Sequence, residues 1–90
     1  MSATLIVRHP VQDFAAWKVV YNEVGTLRDQ HGCTGERVLQ LPTDANDVVA
    51  IHEFPSVGQA EAFASDPELK AAMERAGVAG APRIEIFASA

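Results

Sequence analysis

Val48-Val49-Ala50-Ile51-His52-Glu53-Phe54 is the stretch whose reading decides the fold of this chain. It is rich in β-branched residues. Turn formers, Thr43-Asp44-Ala45-Asn46-Asp47, precede it and Pro55 follows, so it reads as a strand. Alternation places Val49 and Ile51 on one face and Val48, Ala50 and Phe54 on the other. A strand apolar on both faces belongs inside a sheet that is covered on both sides.

The neighbouring segments extend that sheet. Glu36–Leu41, stopped by Pro42, reads as a strand that forms a hairpin with residues 48–54. Upstream, Thr4–His9 carries Ile6 and Val7 and is closed by Pro10, which has no backbone donor. It too is two-faced, with Leu5 and Val7 opposite Ile6. Downstream, Arg83–Phe87 alternates: Ile84 and Ile86 point one way, and Arg83, Glu85 and Phe87 the other.

Helices fill the two gaps. Asp13 is a favoured N-cap, because its carboxylate accepts from the free amides of a first turn. Phe14, Trp17, Tyr21, Val24, Leu27 and His31 follow at three- and four-residue spacing. They predict one helix about five turns long that stops at Gly32. Lys18, Glu23 and Arg28 are expected off its apolar face. In the second gap, Ser56 with Gln59 is a capping-box pair, and Val57, Ala60, Phe63 and Ala64 mark a helical face. Asp66-Pro67 interrupts it and restarts it as cap and first residue. Leu69, Ala72, Met73 and Ala76 continue the face to Gly77, and 77–82 reads as a loop.

The order is βαββαβ. It predicts an α+β, ferredoxin-like domain over residues 1–90, a four-stranded antiparallel sheet in the order 4-1-3-2. Two helical segments cover one face of such a sheet, and nothing in the chain remains to cover the other. The simplest cover is a second copy, which predicts a homodimer.

Charge narrows the partners. The formal net charge is −5 and no Lys/Arg cluster occurs, which argues against nucleic acid and against anionic membrane surfaces. The same charge favours a neutral or weakly charged small molecule, and Trp17 and Tyr21 make a small hydrophobic or aromatic molecule the expected partner. The start of the chain lacks a signal-peptide pattern and the apolar runs are too short to span a bilayer, so a cytoplasmic protein is expected. Cys33 is the single cysteine and has no activating neighbour in sequence. The three histidines show no metal-ligand spacing, and no glycine-rich loop opens a helix to cradle phosphate. No metal or organic cofactor is expected.

Candidate chemistry rests on few residues. His9 ends the first strand at a mouth between sheet and helix, where a neutral imidazole could act as general base; the plainer alternative is a loop histidine bonded to backbone. His52 sits inside a two-faced strand and needs a partner or a cavity, as pocket wall or at an interface. Antiparallel pairing puts these two more than ~10 Å apart along the strands, so no histidine dyad is expected. Trp17 and Tyr21 are positioned to wall a cavity for a flat substrate, or simply to pack the core. Arg83 could bind an enolate or carboxylate, or be a solvated edge charge. Glu53 points away from His52. His31, at a helix end, reads as structural.

These features together resemble the dimeric α+β barrel superfamily. The chain is most similar there to the small antibiotic-biosynthesis monooxygenase-like and cyclase-like proteins. The resemblance is carried by Arg8-His9-Pro10-Val11-Gln12-Asp13-Phe14-Ala15-Ala16-Trp17-Lys18, by Val48–Phe54, by Ala60-Glu61-Ala62-Phe63 and by Ala76–Pro82, and it spans nearly the whole chain. It implies a cofactor-independent enzyme of monooxygenase or cyclase type acting on an aromatic or polyketide-like substrate. The residues add the mechanism expected here, proton abstraction with His9 or His52 as base. The alternative is a non-catalytic binding or assembly dimer of the same fold. The superfamily also holds haem-degrading enzymes, but no histidine falls within the second helical segment to ligate haem.

Overall fold

The computed structural model describes residues 2–90. Its elements are β1 (Ala3–Pro10), α1 (Phe14–Glu23), α2 (Gly25–Gln30), β2 (Gly35–Leu41), β3 (Asp44–Phe54), α3 (Val57–Ala64), α4 (Pro67–Arg75) and β4 (Arg83–Ala88). The strands form one antiparallel sheet in the order β2-β3-β1-β4. This is the ferredoxin-like order expected from the sequence, with the two-faced strands at the centre.

Register explains which side chains meet. Leu5 pairs with His52, Val7 with Ala50 and His9 with Val48. All six therefore point to the same face, and all six are buried. Two apolar clusters fill the space between this face and the helices. One gathers Leu5, Phe54, Phe63 and Leu69, and the other Val11, Trp17, Tyr21 and Ala50. On the opposite face Ile6, Val49 and Ile51 are half-buried. Leu39, Leu41 and Phe87 beside them are 40, 43 and 52 % exposed.

The helix starts follow the capping chemistry. Asp13 accepts from the amide of Ala16, Ser56 from that of Gln59 and Asp66 from that of Glu68. Gln59 departs from the full capping box: its Oε1 accepts from the Ser56 hydroxyl instead of returning to the Ser56 amide. Gly32 and Gly77 follow helical segments at φ of 82° and 78°, a region that side-chain-bearing residues rarely adopt.

Three boundaries differ from the expectation. The long first helix is interrupted at Val24 (φ −85°, ψ 12°), beside Gly25, the poorest helix former after proline. Strand β3 begins at Asp44, because the polar residues expected as a turn pair through their backbone; the turn shrinks to Pro42-Thr43, with a register shift between Gln40 and Leu41. Pro10 stays within β1, opposite Asp47, and its carbonyl accepts from the amide of Ala79. It supplies an acceptor where it lacks a donor.

Candidate functional site

Between the sheet and the helices lies a partly open, apolar cavity. Its walls include Val7, His9, Trp17, Tyr21, Arg28, Ala50, His52, Phe63 and Met73. Its volume is about 40 Å³. The cavity is thus a slot, with room on the order of a few waters. A flat multi-ring ligand would need its walls to part.

A continuous row of rings runs along the slot. His9 meets Trp17 edge-on with centroids 5.5 Å apart. Trp17 stacks on Tyr21 at 4.9 Å, and Tyr21 on His52 at 5.8 Å. Trp17 and Tyr21 are one helical turn apart in α1, which sets their stacking. His9 and His52 bound these three contacts, and the Phe63 ring lies beyond His52 at 5.5 Å. His9 lies opposite Val48, four residues from His52 along β3, a separation of roughly 13 Å. The histidines share one cavity and do not touch, as the sequence implied.

The two imidazoles differ in their surroundings. His9 is 3 % exposed, and neither Nδ1 nor Nε2 has a hydrogen-bond partner among the described residues. Burial alone pushes its pKa down, so the ring is held neutral. The β1–α1 turn beside it is latched by Asn46, whose Oδ1 accepts from the amide of Phe14 and whose carbonyl accepts from that of Val11. His52 is 4 % exposed, and its Nε2 lies 2.9 Å from the Tyr21 hydroxyl. Burial, and then the nearby Arg28 charge, lower its pKa to about 4. Its Nδ1 is buried without a partner among the described residues.

Behind Tyr21 stands an ion pair that the sequence reading missed. Arg28 Nε lies 2.7 Å from Glu36 Oε2, and the Tyr21 hydroxyl donates to the same oxygen at 2.9 Å. Arg28 was expected on the solvent side of the helix, but it is buried. Seven residues is almost two full turns, so Arg28 shares the face of Tyr21. Its charge is tolerated there because it is paired and hydrogen-bonded. Glu36 reaches the network as the cross-strand neighbour of His52. The Tyr21 hydroxyl has its pKa raised above the ordinary phenol value, chiefly by burial.

The other candidates lie elsewhere. Arg83 is on the opposite sheet face, pairs with Glu85 at 3.2 Å and is not part of the cavity wall. Glu53 also lies on that face, where it accepts from the Thr4 hydroxyl. His31 pairs with Asp66 at 2.8 Å and joins α2 to the start of α4. The Cys33 thiol donates to the carbonyl of Gly35, and burial raises its pKa, which disfavours a reactive thiolate. Among the described residues no group of three metal-ligating side chains forms, and no helix is long and apolar enough to cross a membrane.

No family model matches the chain, and no curated protein matches it. Solved structures do. The cofactor-independent oxygenase SnoaB from Streptomyces nogalater superposes with a TM-score of 0.80 at 14 % identity, over 99 % of this chain and 93 % of that one. A candidate antibiotic biosynthesis monooxygenase from Bordetella bronchiseptica gives 0.82 at 13 % identity, over 99 % and 97 %. Another from Caulobacter crescentus CB15 gives 0.79 at 18 % identity, over 99 % and 90 %. The chain therefore has the fold of the antibiotic-biosynthesis monooxygenase-like proteins. At such identities the likeness is one of fold, and the chemistry must be argued from side chains.

Proposed function

We propose, from this shared fold and from the slot it encloses, that the protein is a cytoplasmic, cofactor-independent enzyme of monooxygenase or cyclase type. Its substrate is an aromatic or polyketide-like molecule with an acidic C–H or O–H group. The observation that carries the reading is His9: a buried imidazole at the end of an aromatic row, with both ring nitrogens free of partners among the described residues. A neutral ring of that kind can take a proton from a substrate lying along Trp17 and Tyr21. The resulting carbanion or phenolate would be spread over the aromatic system and would then react with oxygen or close a ring. His52, on the far side of Tyr21, offers a second basic atom. Arg83 would take no part in the slot; any role in binding would require it on the far side of the sheet.

A homodimer completes the proposal. The sheet face bearing Ile6, Val49, Ile51 and Phe87 is what a second copy would cover. That would give each protomer the second layer its central strands need.

The test is turnover of phenolic polycycles, followed by oxygen uptake and by product mass, with wild type, His9→Ala and His52→Ala. A fall in kcat of roughly 10²–10⁴ for His9→Ala, in a folded variant, is expected of a lost general base. Unchanged turnover in both variants would remove the base assignment. Tight binding of such molecules without any conversion would favour a non-catalytic binding dimer.

A further inference from the structure

The contacts around Tyr21 have a direction. Glu36 Oε2 accepts from Arg28 Nε at 2.7 Å and from the Tyr21 hydroxyl at 2.9 Å. A hydroxyl carries one proton, and here it points to Glu36. The 2.9 Å contact between Tyr21 Oη and His52 Nε2 must then be made with a proton supplied by the imidazole. A neutral imidazole has only one N–H, so Nδ1 is bare.

We infer that Glu36, clamped by Arg28, acts through the Tyr21 hydroxyl as a positioning residue that fixes His52 as its Nε2–H tautomer and leaves Nδ1 as the basic atom. Three elements meet to do this: Glu36 on β2 is the strand partner of His52, Tyr21 comes from α1 and Arg28 from α2. Arg28 also donates from Nη1 to the carbonyl of Tyr21 at 2.9 Å, and its guanidinium lies over the Tyr21 ring at 4.0 Å. The arginine has no acceptor of its own, so it can only hold Glu36 as an acceptor. The Phe63 ring packs against the imidazole at a steep angle, with centroids 5.5 Å apart. Use of Nδ1 as a base rests on the reaction proposed above; the tautomer does not.

The inference is read by long-range ¹H–¹⁵N spectra of the histidine rings in the free protein at neutral pH. Wild type should show His52 with a protonated Nε2 and a bare Nδ1. Glu36→Gln should keep that pattern, because Arg28 will hold the amide oxygen toward Tyr21. Glu36→Leu frees the Tyr21 hydroxyl to donate to His52, and more than half of the ring population should move to the Nδ1–H form. A wild-type His52 protonated on Nδ1, or a Glu36→Leu spectrum identical to wild type, overturns the inference. The expected tautomer in a protein that turns over no substrate removes the reaction and leaves the positioning chain intact. Turnover with the opposite tautomer does the reverse.

Discussion

The guanidinium of Arg28 lies 4.0 Å from the centre of the Tyr21 ring, while its Nη1 holds the Tyr21 carbonyl at 2.9 Å. One side chain thus fixes both ends of the residue that faces His52. Arg28→Met should lower stability by about 2–3 kcal/mol, from lost hydrogen bonds to a charged group and a lost cation–π contact. Arg28→Lys should recover little of it, since an ammonium cannot make the planar fork. Urea unfolding of the three proteins checks this; full recovery with lysine would show that charge alone matters.

Acid should loosen the fold through His52. The pKa of His52 falls from 6.5 to about 4 on folding. Between those values the unfolded chain binds more protons than the folded one, so stability falls as pH is lowered through that window. The loss is on the order of 3 kcal/mol from His52, and His9 adds to it with the same sign. Urea midpoints at pH 7 and pH 4.5 should differ accordingly, and His52→Gln should flatten the difference. A slope that persists unchanged in His52→Gln would place its origin elsewhere.

Asp66 carries two duties, capping α4 and pairing with His31. The His31 hydrogen bond and the amide of Glu68 hold its carboxyl below the usual range. Its contribution is therefore present above the unfolded carboxylate pKa and is lost as pH drops through the folded value. Asp66→Ala should lower Tm by several degrees. Asp66→Asn, which retains an accepting oxygen for the cap, should cost less. Equal losses would assign the whole effect to the His31 pair.

Ile51 sits at the middle of the open sheet face, beside Ile6, its register partner on β1. In the proposed homodimer that face is the interface, so Ile51→Lys should leave the secondary structure intact and give a monomer where wild type gives a dimer, as measured by light scattering during gel filtration. A wild type that is already monomeric would remove the sheet-to-sheet arrangement.

Much of the fold was legible because strand pairing and helix capping leave local marks. Val48, Ala50 and Phe54 on one face of β3 and Val49 and Ile51 on the other located the centre of the sheet. The sequence left His52 open between pocket wall and interface, and Trp17 and Tyr21 between pocket wall and core, because burial on one face does not by itself say whether a cavity lies there. The start of β3 was not legible: Asp44–Asp47 pair through backbone groups, and side-chain composition says turn. Nor was the interruption at Val24, since apolar spacing runs through it unchanged. Arg28 was the costlier omission. Its seven-residue spacing from Tyr21 was present in the sequence, but the usual exposure of charged residues outweighed it. Its partner there is Glu36, which arrives from strand β2.

Trp17 is the one tryptophan of the chain and Tyr21 the one tyrosine, and their rings stack 4.9 Å apart inside the slot. Light absorbed by the tyrosine will pass to the tryptophan, so the ultraviolet emission of the whole protein originates at this single location. With the His9 ring against the indole, a proton gained there or a molecule slid between the walls changes brightness and colour directly. The protein carries its own optical reporter, and occupancy can be titrated without a label, a known reaction or a mutation.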